Sequence, residues 1–176
     1  MNYRPITDMW ILARPRVKYY GAYPNGFLER ARALLGVTPF DAVLHVCGGK
    51  ARDYPGKPRG FGPNDETLDT DADLTPDFLQ GAEEAIPAPL NGWPALIADP
   101  PYTDADAAHY TTKTLPRANL LLKNMLTAVR VGGRVGMLHY ILPQPPREGV
   151  KFVACIGVIT GYNNRIRVFS VFERTA

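Results

Sequence analysis

The run Pro94-Ala95-Leu96-Ile97-Ala98 ends abruptly in Asp99-Pro100-Pro101-Tyr102, an acid, two imino acids and an aromatic ring. The prolines have no backbone donors and a narrow φ, so they hold a rigid turn in which the Asp99 carboxylate and the Pro100 carbonyl are acceptors pointing the same way. Two convergent acceptors suit a planar amino nitrogen carrying two hydrogens, and Tyr102 can stack on the flat ring that bears it. The plainer reading is a proline-locked strand end. Four consecutive residues of these types where a buried strand stops make it the weaker one.

Ligands of open α/β sheets bind at the C-terminal ends of the strands, so the other strand ends belong with this one. Gly48 and Gly49 close the run "FDAVLHV" and let the backbone turn sharply and approach a ligand closely, although a glycine doublet is as often only a turn. Asp69 and Asp71 end the next short strand, where a carboxylate can accept from the vicinal hydroxyls of a ribose. Taken alone, "DTDAD" reads as solvated loop acid. Gly81-Ala82-Glu83 and His139-Tyr140 complete the set.

These ends need a sheet to position them. Phe27, Ala31, Leu34 and Leu35 have helical spacing after the turn Pro24-Asn25-Gly26, and Gly36 stands where a C-cap glycine would. Strands are expected over "FDAVLHV", near Thr67 to Asp69, near Asp77 to Gln80, and over "PALIAD". Leu122, Met125, Leu126 and Val129 predict a helix after Pro116, ended by Gly132-Gly133, and then the strand "RVGMLHYI". "KFVACIGVIT" and "RIRVFSVFER" form two β-rich runs around the turn-rich Gly161-Tyr162-Asn163-Asn164. Parallel strands with helices, closed by an antiparallel hairpin, imply a three-layer α/β sheet. The stretch "GKARDYPGKPRGFGPND" is too rich in Gly and Pro for a long crossover helix.

With 176 residues the chain suits a single domain, 1–176, that buries its core without disulfides. Hydrophobic residues at 45% and charged residues at 21% argue against disorder, and no stretch is long and apolar enough to span a bilayer. A net charge of +3 permits a polyanionic partner without requiring one. Cys47 and Cys155 have no metal-type spacing, so no metal is expected, and "MNYRPITDMWILARPR" lacks a secretory pattern; a reducing cytoplasm is the expected location.

The set "DPPY", "YPNGF", "VLHVCGG", "TLDTD" and "FLQGAEEAIP", with "VRVGGRVGMLHYILP" and the final hairpin, resembles class I S-adenosylmethionine-dependent methyltransferases acting on exocyclic amines, especially adenine N6 or cytosine N4 in DNA. The resemblance implies a Rossmann-like α/β fold: a mostly parallel seven-stranded sheet with a C-terminal antiparallel hairpin, and here reduced crossover helices. It implies S-adenosylmethionine as cofactor. Pro24, Phe27, His45, Cys47, Gly48, Gly49, Asp69, Asp71, Ala82 and Asp99 then fall at the cofactor, and Asp99, Pro100, Pro101 and Tyr102 at the reacting amine. The chain departs from the family pattern at His45, where an acid is usual, at Ala51, where a glycine is common, and at Gly81-Ala82, around the usual acidic position.

The expected reaction is methyl transfer to the exocyclic amine of a nucleobase, adenine N6 in DNA first and RNA behind it, with the base flipped out or single-stranded. Arg14, Arg16, Lys18, Lys50, Arg52, Lys57 and Arg59 are candidates for phosphate contact, although scattered cations are more often solvated surface. No long insertion after Tyr102 or Tyr140 could read a sequence, so specificity would fall to short loops, a homodimer or a partner subunit. The resemblance is bacterial or phage-like in kind. His109 and His139 are expected to be structural, and Cys47 to pack rather than to react. Two other functions compete. One is methylation of RNA, a free nucleotide or a protein amide nitrogen; the other is a degenerate fold kept as a binding module or non-catalytic subunit.

Overall fold

The computed structural model describes residues 4–15, 22–54, 60–108, 110, 115–161 and 165–176. Its frame is an eight-stranded sheet formed by β1 (Ile6–Leu12), β2 (Val43–Val46), β3 (Glu66–Asp69), β4 (Phe78–Leu79), β5 (Trp93–Ala98), β6 (Val129–His139), β7 (Val150–Thr160) and β8 (Ile166–Arg174). The helices are α1 (Phe27–Leu35), the single turn α2 (Asp104–Ala107) and α3 (Ala118–Ala128). Across the sheet the order is β1-β7-β8-β6-β5-β2-β3-β4, and β8 alone runs antiparallel to its neighbours. This is the expected mostly parallel sheet with a terminal hairpin, extended by one strand. The hairpin closes in register, with Cys155 opposite Ser170; its turn residues 162–164 lie outside the described residues.

Two apolar layers flank the sheet. Phe27, Leu28, Ala31 and Leu35 of α1 pack with Val43, Ile97, Ile156 and Phe169 on one face. On the other, Leu121, Leu122, Met125 and Leu126 of α3 pack with Leu44, Leu96, Met137 and Phe172. Strands buried on both faces read as continuous apolar runs, which is why "VLHV" is apolar except for His45. Gly36 ends α1 with φ 70°, a left-handed C-cap that an L side chain would strain.

Two segments depart from the sequence expectation. Ile6–Leu12 forms the edge strand β1 beside β7, where only an N-terminal segment without a secretory pattern was expected. The helix α3 stops at Ala128, and Val129 already belongs to β6, so Gly132-Gly133 lies inside a strand instead of ending a helix. At Gly133 a Cβ would lie 2.7 Å from Val129 Cγ2 and 2.8 Å from the Pro94 carbonyl oxygen. The doublet therefore serves the close, irregular pairing of β6 with β5, whose register shifts between Trp93 and Ala95.

The expected loss of crossover helices holds among the described residues: one-turn helices at Ala51–Asp53 and Ala72–Leu74 replace long helices after β2 and β3. No described helix is long and apolar enough to cross a membrane. The strand order reverses between β2 and β5, and such a reversal opens a crevice at the C-terminal strand ends.

Candidate active site

That crevice holds a cavity lined by Cys47, Gly48 and Gly49 after β2, Asp69 and Thr70 after β3, Gln80 to Glu84 after β4, and Asp99 and Pro101 after β5. Tyr23 and Tyr54 wall one side, and Tyr110 and Pro116 also face it. The parallel ladder brings the ends level: the Asp99 N–H donates to the Val46 carbonyl (3.4 Å), and the Gly48 N–H to that of Leu68 (3.2 Å).

The turn after β2 is tight. Cys47 has φ 54°, a left-handed conformation uncommon for a residue with a Cβ. A Cβ at Gly48 would stand 2.9 Å from the His45 carbonyl oxygen, with Thr67 Cγ2 at 3.1 Å, so only glycine fits without moving β3. The Gly49 N–H donates to Asp69 Oδ2 (2.9 Å) and the Asp71 N–H to Asp69 Oδ1 (3.1 Å), which fixes the Asp69 carboxylate at the cavity wall. Burial raises the Cys47 thiol far above its usual range, with Asp69 and Asp99 adding to the shift, which favours the neutral thiol at the cavity wall.

Not every expected cofactor residue reaches the cavity. Phe27 is fully buried, its ring stacked on Tyr23 with centroids 5.3 Å apart, and Pro24 is buried beside it; neither lines the cavity. The residue of that motif that does is Tyr23, whose buried hydroxyl has no hydrogen-bond partner among the described residues. His45 points away as well, with Nε2 3.1 Å from Asp65 Oδ2 inside the core. Asp71 is turned to a local task, its carboxylate capping the short helix that follows by accepting from the Asp73 N–H (3.0 Å). Ala82 lines the cavity on a loop tied down by Glu83, which accepts from the Arg117 N–H (2.8 Å) and Nε (3.0 Å).

The acidic turn is the electrostatic centre. Asp99 is buried, with its side chain 7% exposed, and burial pushes its carboxyl up to about 6 against the opposing pull of Arg167 and Tyr102. Oδ1 accepts from the Tyr102 hydroxyl, while Oδ2 is buried without a hydrogen-bond partner among the described residues. Tyr102 is turned inward, its ring 4.5 Å from that of Tyr140 and edge-on to His139 at 5.3 Å, so stacking on a base requires it to leave this contact. His139 Nδ1 accepts from the Ile141 N–H (3.1 Å), and burial lowers its pKa. Pro100 is buried and Pro101 faces the cavity.

Of the candidate phosphate contacts, Lys50 lines the cavity, and Arg14 is exposed beyond β1. Arg52 is committed elsewhere: it pairs with Asp77, reaches Thr67 Oγ1 (3.3 Å), and lies over the Phe61 ring. Arg16, Lys18, Lys57, Arg59 and His109 lie outside the described residues. No group of three or more His, Cys, Asp or Glu that could hold a metal occurs among the described residues. Sequence reasoning missed Arg167 of β8, whose Nη1 lies 4.0 Å from Asp99 Oδ2 and 3.4 Å from the Tyr102 hydroxyl.

No family model and no curated protein matches the chain. Solved structures do. TrmN from Thermus thermophilus superposes with a TM-score of 0.55 at 18% identity over 84% of this chain and 48% of its own, so the chain spans about half of that protein. A 1,6-didemethyltoxoflavin-N1-methyltransferase from Burkholderia thailandensis, with bound 1,6-didemethyltoxoflavin and S-adenosylhomocysteine, gives 0.55 at 13% identity, covering 86% of this chain and 80% of its own. Escherichia coli yhhF, provisionally described as a methyltransferase, gives 0.57 at 10% identity with 88% of both chains covered. At these identities the likeness shows a shared fold, the Rossmann-like α/β sheet of class I methyltransferases.

Proposed function

We propose that the chain is an S-adenosylmethionine-dependent methyltransferase acting on the exocyclic amine of a nucleobase, with adenine N6 in DNA as the substrate to test first. The observation that carries this reading is the buried Asp99 carboxylate, lining a cavity with Gly48, Gly49 and Asp69 and with one oxygen unpartnered among the described residues. Buried polar atoms are normally satisfied, so such an atom marks a place for a donor.

The donor set fits the cofactor. The Asp69 carboxylate, steadied by two backbone N–H groups, has lone pairs left for ribose hydroxyls, and the unpartnered Tyr23 hydroxyl lies in the same cavity wall. Ala82 and its loop would flank the adenine, and the bare backbone at Gly48-Gly49 permits close approach. When bound, S-adenosylmethionine supplies a methyl group already activated as an electrophile. The protein's part is then positioning. Asp99 and the Pro100 carbonyl accept the amine hydrogens, which draws the nitrogen lone pair out of ring conjugation, and a carboxyl poised near 6 can take the proton that leaves once the N–C bond has formed. Tyr102, turned out from Tyr140, would cover one face of the base. Lys50 at the cavity offers a phosphate contact, and target choice would rest on short loops, a second copy or a partner subunit.

Calorimetric titration with S-adenosylmethionine and S-adenosylhomocysteine, repeated on Asp69→Ala, tests the cofactor half. Binding of both that weakens at least tenfold in the variant is the expected result, in line with one lost charged hydrogen-bond acceptor. Absence of binding by the wild type would overturn this reading in favour of a binding module.

A further inference from the structure

Arg167 sits two residues into β8, yet its guanidinium turns toward the end of β5, where its side chain is 13% exposed. Guanidinium groups are permanently charged and only donate; carboxylates ionised at neutral pH only accept. Here the two face each other at 4.0 Å, too far for a hydrogen bond, and leave Asp99 Oδ2 without a partner. What stands beside both is the Tyr102 hydroxyl, which donates to Asp99 Oδ1 and accepts from Arg167 Nη1 at 3.4 Å. A single group that both donates and accepts thus answers the two together.

The amidine edge of a base has that same character. In adenine the exocyclic amine donates and the ring nitrogen on the same carbon accepts; in cytosine the same holds for the amine and its adjacent ring nitrogen. An ammonium group, by contrast, offers no acceptor and brings a positive charge against Arg167. Resting on the base-amine reading above, we propose that Arg167 determines substrate specificity by donating to the ring nitrogen next to the methylated amine, so that Asp99 and Arg167 together read an amine-plus-acceptor edge that displaces the Tyr102 hydroxyl.

The test compares single-stranded oligonucleotides carrying adenine, 1-deazaadenine (the adjacent ring nitrogen replaced by C–H) or 7-deazaadenine at one position, with methyl transfer measured for wild type, Arg167→Met and Arg167→Lys. Losing a hydrogen bond to a charged donor corresponds to about 10- to 100-fold. Wild type is therefore expected to favour adenine over 1-deazaadenine by about that factor in kcat/KM while treating 7-deazaadenine like adenine; in Arg167→Met the preference should fall to within about threefold. Equal wild-type rates on adenine and 1-deazaadenine would overturn the proposal without any variant having to fold, as would a preference that survives in Arg167→Met. If wild type binds S-adenosylmethionine but methylates no adenine or cytosine oligonucleotide, the base-amine reading itself fails and this assignment goes with it.

Discussion

Asp65 and Asp99 are both buried carboxylates, and their surroundings are opposite. Asp65 is fully enclosed and accepts from Arg32 Nη1 (2.7 Å), the Gly62 N–H (2.7 Å) and the Val43 N–H (3.0 Å), with His45 Nε2 at 3.1 Å. Burial pushes its carboxyl up, but the His45 contact, the Gly62 N–H and Arg32 outweigh it and leave the pKa below the ordinary carboxylate range. At Asp99 burial wins, and one oxygen stays unpaired. The satisfied acid locks α1 to β2 and to the chain before β3; the other faces the cavity with one oxygen unpartnered among the described residues. Polar satisfaction, more than burial, separates these two carboxylates, although Arg32 Nε and His45 Nδ1 around Asp65 are themselves buried without a hydrogen-bond partner among the described residues.

Removing each acid should therefore act in opposite directions. Asp65→Ala strands a buried Arg32 guanidinium and should cost about 3 to 5 kcal/mol of unfolding free energy in urea denaturation. A loss under 1 kcal/mol would mean that the network is slack. Asp99→Asn should instead stabilise the fold at pH 8 by up to about 3 kcal/mol. The sign follows from proton binding: between the unfolded carboxyl value of 3.8 and the folded value of about 6 the native state binds the extra proton, so Asp99 lowers stability progressively as pH rises through that window. Asp65, with its pKa depressed, contributes stability above 3.8 that is lost as pH falls through its folded value. Melting curves of wild type and Asp99→Asn should hence diverge between pH 4 and pH 7, by about the same 3 kcal/mol limit.

The contrast can be sharpened in catalysis. If Asp99 must be ionised to accept amine hydrogens, kcat/KM should rise with pH through an apparent pKa of about 6. Arg167→Met should move that midpoint upward, because the guanidinium favours the carboxylate. A pH-independent rate would detach Asp99 from turnover. The smallest effect concerns the strained turn: Cys47→Gly, relieving φ 54°, should stabilise by no more than about 1 kcal/mol in urea denaturation, and a loss of stability would show that the side chain's packing outweighs the strain.

Much of this molecule is legible in its sequence because parallel strands are buried on both faces and stop sharply. The ends at Gly48-Gly49 and Asp99 declare themselves as apolar runs that turn into glycine or acid, whereas Asp69 follows only Glu66-Thr67-Leu68 and is placed by its neighbours. The edge strand β1 does not, since it pairs only with distant β7 and leaves Met9 and Ile11 about half to three-quarters exposed, which blurs any alternation. Side-chain direction is the other loss. Around α1 the turn aims Tyr23 at the cavity and Phe27 at the core, a distinction that no spacing rule supplies before the entry angle is known. His45 stands where an acid is usual and instead completes the Asp65 network, visible only when β2 and the segment before β3 are side by side. Arg167 is hidden for a similar reason: its hairpin must fold back beside β6 before it can face Asp99.

On the proposed reading, Asp99 is kept unsatisfied for a substrate amine. The most direct test is transfer of labelled methyl from S-adenosylmethionine to an adenine-containing oligonucleotide by wild type and Asp99→Ala, with cofactor affinity measured on the same samples. Transfer should fall by about a thousandfold or more while cofactor affinity stays within about fivefold, the pattern of a group that acts on the reacting amine. Undiminished methylation by Asp99→Ala would contradict it.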